Sequence, residues 1–329
     1  MKSYSMRSEG ANTLLQLCEL PRPEPGPRQV LLRMRAAGLN RGEFIPGGLQ
    51  GKGGVSKPAG IEGAGVVVAV GDGVTSVRPG DRVMGRCAGA FSEYALMDER
   101  EALPLPASLS FEEGAAVPLT FLVVHDMLFT QGRLLAGEWL LATGVSSGVG
   151  VASLQAAKAL GAKVIGTSGS AAKIERLKAL GLDVGIASRE PDFRAAVMEG
   201  TAQHGVDLVV NTVGGSVFAE CVKCLAFEGR LATVGYVDQT LKAEIDLQAL
   251  HVKRLTLFGV SNKMRSAEQR AAGVPAFVRD LLPAIADGRI RPLVDRVFAF
   301  DQLEAARAHM EANRHLGKIV LTLAGGESE

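Results

Sequence analysis

The sequence predicts an α/β fold in two parts, a β-rich domain interrupted by a doubly wound parallel-sheet domain. Three observations predict it. The chain has 329 residues, more than one ordinary core accommodates. Residues 1–120 read as strands divided by Gly, Pro and Asp turns, whereas from Glu138 to about Ser261 short apolar strands alternate with helices. A glycine-rich turn stands at the first strand-to-helix junction of that alternation.

Taken in order, Val30–Ala36, Gly65–Val70 and Arg82–Met84 have strand composition. Pro-x-Pro-x-Pro at 21–25 and the turn residues of 71–81 separate them. Helical character begins at Phe111. Trp139–Thr143 is a short buried strand, followed by the turn glycines Gly144, Gly148 and Gly150, a helix ending at Gly161, and a second strand, Lys163–Thr167. Val206–Asn211, Arg230–Val234 and Leu255–Gly259 are further apolar strands, as a parallel sheet covered on both faces requires, with a helix over Ser216–Leu225. Pro275–Asp287 reads as helix, Asp295–Phe300 as extended, Leu303–Asn313 as helix and Lys318–Leu323 as a closing strand. The expected domains are 1–122, 123–262 and a return over 263–329.

Strand, glycine turn, helix and strand form the opening unit of a dinucleotide-binding domain. The glycines admit a pyrophosphate to the backbone, and the helix N-terminus offers it unpaired N–H groups. The strict Gly-x-Gly-x-x-Gly spacing is absent: Val145 and Ser147 occupy the places of its first two glycines, and Gly150 keeps the third. The flanking elements distinguish this turn from a merely structural one.

At the end of the second strand, an NAD-binding domain places Asp or Glu against the ribose. Here Gly166-Thr-Ser168-Gly169-Ser170-Ala-Ala-Lys173 has no acid before Glu175. Hydroxyls and a lysine suit a phosphate monoester, so the expected cofactor is NADPH. The competing reading is a solvated helix start, with Ser170 as N-cap and Lys173 exposed.

Composition sets bounds. Thirty-six basic against 35 acidic residues leave a formal charge of +1, no electrostatic footprint for nucleic acid. Four cysteines show no disulfide framework, and Cys221 and Cys224 fall within a helix, where buried thiols are expected rather than a redox or zinc pair. The first twenty residues contain Arg7, Glu9 and Glu19 and no signal-peptide core, and no uncharged run suits a bilayer span. A soluble, cytoplasmic protein is expected.

Nine stretches in order resemble the zinc-free quinone oxidoreductase branch of the medium-chain dehydrogenase/reductase superfamily. They are Ala36-Ala-Gly-Leu-Asn40, Pro58–Gly71, Val77–Val83, Gly89–Tyr94, Leu103–Pro106, Pro118–Thr120, Gly137–Leu141, Ser147–Gly150 and Gly317–Leu321. The resemblance implies a GroES-like β domain, a Rossmann domain and a cofactor cleft between them. It implies Asn40 as catalytic amide and cofactor contact, alongside Thr120 and the turn residues Ser147, Gly148 and Val149. It further implies that Ser168, Ser170 and Lys173 hold the 2′-phosphate, with Ser188 at a position where relatives have tyrosine and Arg189 able to compensate. Asn211, Val213, Gly235, Tyr236, Phe258, Gly259 and Lys318 complete the implied cofactor set.

Against the zinc branches, Ile61 replaces the histidine of Gly-His-Glu, Asn40-Arg-Gly-Glu43 lacks the catalytic thiol, and the four-cysteine lobe is missing. Histidines 125, 204, 251, 309 and 315 are scattered and read as surface or helix-end residues, so no metal is expected. Without a Lewis acid, a quinone or activated enone, which delocalises the incoming charge, suits hydride transfer better than a simple ketone. Three departures bear on the acceptor: Phe44–Leu49 lacks the tyrosine donor of related enone reductases, Glu43 replaces an aspartate, and Val123 replaces a threonine. Of Tyr4, Tyr94 and Tyr236, Tyr236 alone follows a strand end. The competing reading is a catalytically silent NADPH-binding protein, as in lens crystallins of this family. Assembly as a homodimer through the Leu255–Val260 edge strand is also implied.

Overall fold

Antiparallel pairing builds the first of two units, Met1–Leu119 with Arg265–Glu329. The computed structural model describes residues 1–9, 12–45 and 56–323. Strands β1 (Lys2–Glu9) and β2 (Asn12–Glu19) form a hairpin, and β1 also pairs with the two-residue β4 (Lys57–Pro58). Strands β3 (Gln29–Gly38), β5 (Glu62–Val70), β6 (Arg82–Ala88) and β7 (Tyr94–Pro104) form a sheet that closes on itself, because β3 pairs with both β5 and β7. In β7, burial alternates with period two, so Ala95, Met97 and Leu103 face the core. Glu99 and Glu101 fall on that same face and meet Arg28 at 2.6 Å and Arg270 at 3.3 Å. Helix α1 (Phe111–Ala115) starts at Ser110, whose hydroxyl accepts the Glu113 N–H.

The second unit, Thr120–Met264, carries most of helix α2 (Pro118–His125). Next come β8 (Trp139–Thr143), α3 (Gly148–Leu160), β9 (Lys163–Thr167), α4 (Ala171–Lys178), β10 (Val184–Ile186) and α5 (Arg194–Gly200). Then follow β11 (Val206–Asn211), α6 (Gly215–Cys224), β12 (Leu225–Thr233), α7 (Leu247–Val252) and β13 (Thr256–Gly259). All five pairings are parallel, in the order β10-β9-β8-β11-β12-β13, the doubly wound Rossmann arrangement. Leu141, Ile165, Val209 and Leu231 fill its core.

The chain returns to the first unit through α8 (Ala267–Ala271), α9 (Val274–Asp280), α10 (Leu282–Ala286), β14 (Val294–Ala299), α11 (Leu303–Glu311) and β15 (Lys318–Thr322). Strand β15 pairs with β3, so chain ends far apart in sequence share one sheet. The helix expected over Pro275–Asp287 is two helices. Pro283 has no N–H and its ring opposes the carbonyl four residues earlier, so the helix breaks at Leu281. Strand β12 starts at Leu225, five residues before the expected Arg230, directly at the end of α6. Cys221 and Cys224 are buried on α6, and burial raises both thiol pKa values. His125 is a helix-end residue as expected, the last of α2, and is buried there at 3% exposure, stacked on Phe129. No described helix is long and apolar enough to cross a membrane.

Candidate functional site

In the second unit the sheet reverses order between β8 and β11, and the C-terminal ends of both strands carry polar groups there. The Thr212 hydroxyl donates to the Thr143 carbonyl at 2.7 Å, and the Thr212 N–H to the Thr143 hydroxyl at 3.1 Å. Gly144 follows at φ 62°, and a Cβ on it would meet the Thr212 hydroxyl oxygen at 2.6 Å. Helix α3 then begins with Ser147 accepting the Gly150 N–H at 3.1 Å. A Cβ on Gly150 would meet the Gly144 carbonyl oxygen at 2.5 Å, so the turn closes this tightly only with glycine at the start of α3. Val145 is buried because Gly166 on β9 leaves room: a Cβ there would lie 2.6 Å from Val145. Gly148 and Val149 sit half-exposed in the first turn of α3. A glycine cradle at a helix N-terminus fits a pyrophosphate.

Beyond β9, the Ser146 and Ser168 hydroxyls lie 3.2 Å apart, and Ser170 caps α4 by accepting the Lys173 N–H at 3.4 Å. Arg189 lies across Gly169, where any Cβ would overlap its side chain. Ser188 is bonded to Asp192 at 3.1 Å and accepts the Glu190 N–H. The turn therefore brings Ser168, Ser170 and Arg189 around a glycine, with Lys173 in the first turn of α4 and no carboxylate at the end of β9.

Asn211 is fully buried and shapes its own turn. Its Oδ1 accepts the Val213 and Gly214 N–H groups, each at 3.0 Å, and its Nδ2 donates to the Gly214 carbonyl at 2.9 Å. Thr120 is buried on α2, Gly235 follows β12, Tyr236 is 58% exposed, and Phe258 and Gly259 end the edge strand β13.

The first unit contributes a buried polar network. The Lys318 ammonium donates to the Glu62 carboxylate at 2.6 Å, to the Asn40 Oδ1 at 2.8 Å and to the Leu39 carbonyl at 3.0 Å. All three of its protons are therefore directed inward. Asn40 Nδ2 donates to Glu62 at 2.8 Å and to Glu43 at 2.9 Å, and the Asn40 backbone N–H also donates to Glu43. The second Glu62 oxygen accepts the Leu119 N–H, in the first turn of α2, at 2.7 Å. Gly38 makes this possible, since a Cβ there would come within 2.9 Å of the Glu62 carboxylate. Asn40 is thus half-buried, with both amide hydrogens committed.

Glu43 and Glu62 are 1% and 0% exposed, so two carboxyls face one ammonium. Burial pushes the Glu43 pKa up to about 8; bonds from Asn40 oppose this, and the neighbouring Glu62 adds to it. Glu43 Oε2 is buried without a hydrogen-bond partner among the described residues. Reading the sequence missed this network. The Asn40–Glu43 spacing is a capping pattern readable locally, whereas Lys318 and Glu62 are 256 positions apart and leave no local trace.

At the position of the zinc branches' histidine, Ile61 is a buried apolar side chain, and no group of three or more His, Cys, Asp or Glu that could hold a metal occurs among the described residues. Pro46–Leu49, part of the stretch lacking a tyrosine, lie outside the described residues. Tyr4 is in the core, Tyr94 lies under Arg22, and neither bonds to the network.

Two family models match. One described as zinc-binding dehydrogenase covers residues 148–274, and one described as alcohol dehydrogenase GroES-like domain covers 26–107. The spectinabilin polyketide synthase protein NorB of Streptomyces orinoci is 34% identical over 95% of this chain, which spans only 14% of that protein. The synaptic vesicle membrane protein VAT-1 homolog of Rattus norvegicus is 31% identical over 93% of this chain and 80% of its own length. Among solved structures, an NAD-dependent alcohol dehydrogenase is 30% identical at TM-score 0.84, covering 98% of this chain and 99% of its own. A mycobacterial protein complexed with NADPH is 27% identical at TM-score 0.86, with the same coverage. The CurK enoyl reductase is 26% identical at TM-score 0.83, covering 97% of this chain and 99% of its own.

Proposed function

The chain belongs to the medium-chain dehydrogenase/reductase superfamily of oxidoreductases, and on that premise we propose that it reduces a quinone or activated enone with NADPH and without a metal. The observation that carries the reading is the pair Ile61 and Glu62. The first cannot ligate zinc, and the second is held by Lys318 and the Leu119 N–H. An acceptor that delocalises charge through conjugation needs no Lewis acid.

NADPH, when bound, supplies the hydride. The α3 N-terminus and its glycines would hold the pyrophosphate, and Ser168, Ser170, Lys173 and Arg189 would hold the 2′-phosphate. The absence of a carboxylate at the end of β9 supports NADPH over NADH, as does the NADPH complex of a structural relative. Asn40 acts as a positioning residue, fixed by Glu43, Glu62 and Lys318. To donate to an acceptor oxygen it must release one of its two carboxylate bonds. That commitment is also what favours the second reading, a silent NADPH-binding protein.

The reading extends to assembly as a homodimer through β13. Steady NADPH oxidation is expected with phenanthrenequinone, or with an enal or enoyl thioester, and is expected to survive EDTA. Loss of activity on chelation, restored by zinc, would overturn metal independence. Tight NADPH binding without turnover across that panel would favour the silent protein.

A further inference from the structure

A second feature adjoins the network in the first unit. Arg86 on β6 is the register partner of Glu62 on β5, so the two side chains leave the sheet on the same face. The β6–β7 pairing is irregular at this point: the register shifts between Gly85 and Cys87, placing Arg86 at a bulge. Gly85 allows the close approach, because a Cβ there would overlap the Glu101 carbonyl oxygen. Bulges re-aim side chains and recur beside functional sites.

Arg86 is half-buried, yet no carboxylate or carbonyl among the described residues bonds to it. The acids that act on it are Glu101, which is bonded to Arg270, and Glu43, whose proton is held up to about 8. Segment 46–55, outside the described residues, contains Lys52 and no acidic residue. Burial lowers the Arg86 pKa, and Arg270 adds to the effect. A partly buried, unpaired guanidinium is costly unless an anion arrives to pair with it.

We propose that Arg86 is a specificity-determining residue that binds an oxyanion, a carboxylate, carried by the acceptor, so that acidic enones are preferred over neutral ones. This rests on the enone-reductase reading above. The planar guanidinium offers a two-point hydrogen bond to the carboxylate, and bound anion would balance the Arg86–Arg270 pair.

The test compares β-acetylacrylate with its methyl ester, which share the enone and differ in charge, in one methyl group and in how strongly the carboxyl end activates the double bond, so the readout is the change of their ratio between variants. The kcat/KM ratio of acid to ester is expected to fall about tenfold or more, equivalent to about 1.4 kcal/mol, from the unmodified protein to Arg86→Met and to be partly restored in Arg86→Lys. An equal ratio in the unmodified protein and Arg86→Met overturns the inference while leaving the reductase reading intact. A raised KM for NADPH with an unchanged acid-to-ester ratio assigns Arg86 to the cofactor and also overturns it. If no acceptor is reduced, the reductase reading fails, and binding decides alone. The saturated analogue levulinate should raise the Tm of the unmodified protein and not that of Arg86→Met; equal shifts overturn the inference.

Discussion

Glu43 is a carboxyl held far from water. Its carboxyl is 1% exposed, with one oxygen accepting both Asn40 N–H groups and the other unpartnered. In the unfolded chain it ionises near 4.5, whereas the folded protein holds the proton up to about 8. Between those values the unfolded state sheds a proton that the folded state keeps, so the Glu43 contribution to stability is whole below the lower value. It is lost as pH rises towards the upper one, at about 1.4 kcal/mol per pH unit. Glu43→Gln preserves the neutral shape and the acceptor for Asn40 and abolishes this slope. Thermal unfolding of both proteins at pH 5 and pH 8 should show the variant gaining on the parent at pH 8 by several degrees. A constant difference at the two pH values would mean that Glu43 is already ionised in the folded protein.

At the scale of elements, β8, β9 and β11 have the bounds their sequence runs predict, because a fully buried parallel strand is a continuous apolar stretch flanked by turn residues. Strands β1 and β2 escaped notice, since much of β2 is exposed and its apolar Leu14, Leu15, Leu17 and Cys18 do not alternate with period two. The candidate site divides the same way. The glycine cradle is local and therefore legible, while the Lys318–Glu62 pair and the position of Arg189 over Gly169 depend on pairings distant in sequence. The β9–α4 turn carries the cofactor prediction. NADPH should bind at least about tenfold more tightly than NADH, about 1.4 kcal/mol. Lys173→Glu places a carboxylate where the 2′-phosphate would lie and should abolish or reverse that preference in titrations followed by nicotinamide fluorescence. Equal affinities in the unmodified protein would remove the case for a phosphate site at this turn.

For the whole molecule, the open question is what meets the free edge of β13. This strand is the last of the six in its sheet, pairs with β12 alone among the described residues, and exposes Thr256 while half-exposing Leu257 and Phe258. An apolar edge with unpaired N–H and C=O groups templates association, and twofold pairing with an identical strand closes it without leaving another edge. Lys253 and Arg254 before it and Lys263 after it oppose indiscriminate stacking, because antiparallel pairing in a shifted register would bring like charges together. Light scattering should report about twice the chain mass at micromolar concentration. The Val260 N–H donates to the Thr233 carbonyl, so strand alternation turns the Leu257 N–H away from β12, and proline at Leu257 removes that N–H from the free edge and should shift the population towards monomer. Should the unmodified protein scatter as a monomer throughout that range, the β13 edge is covered by some other means and the dimer proposal is wrong.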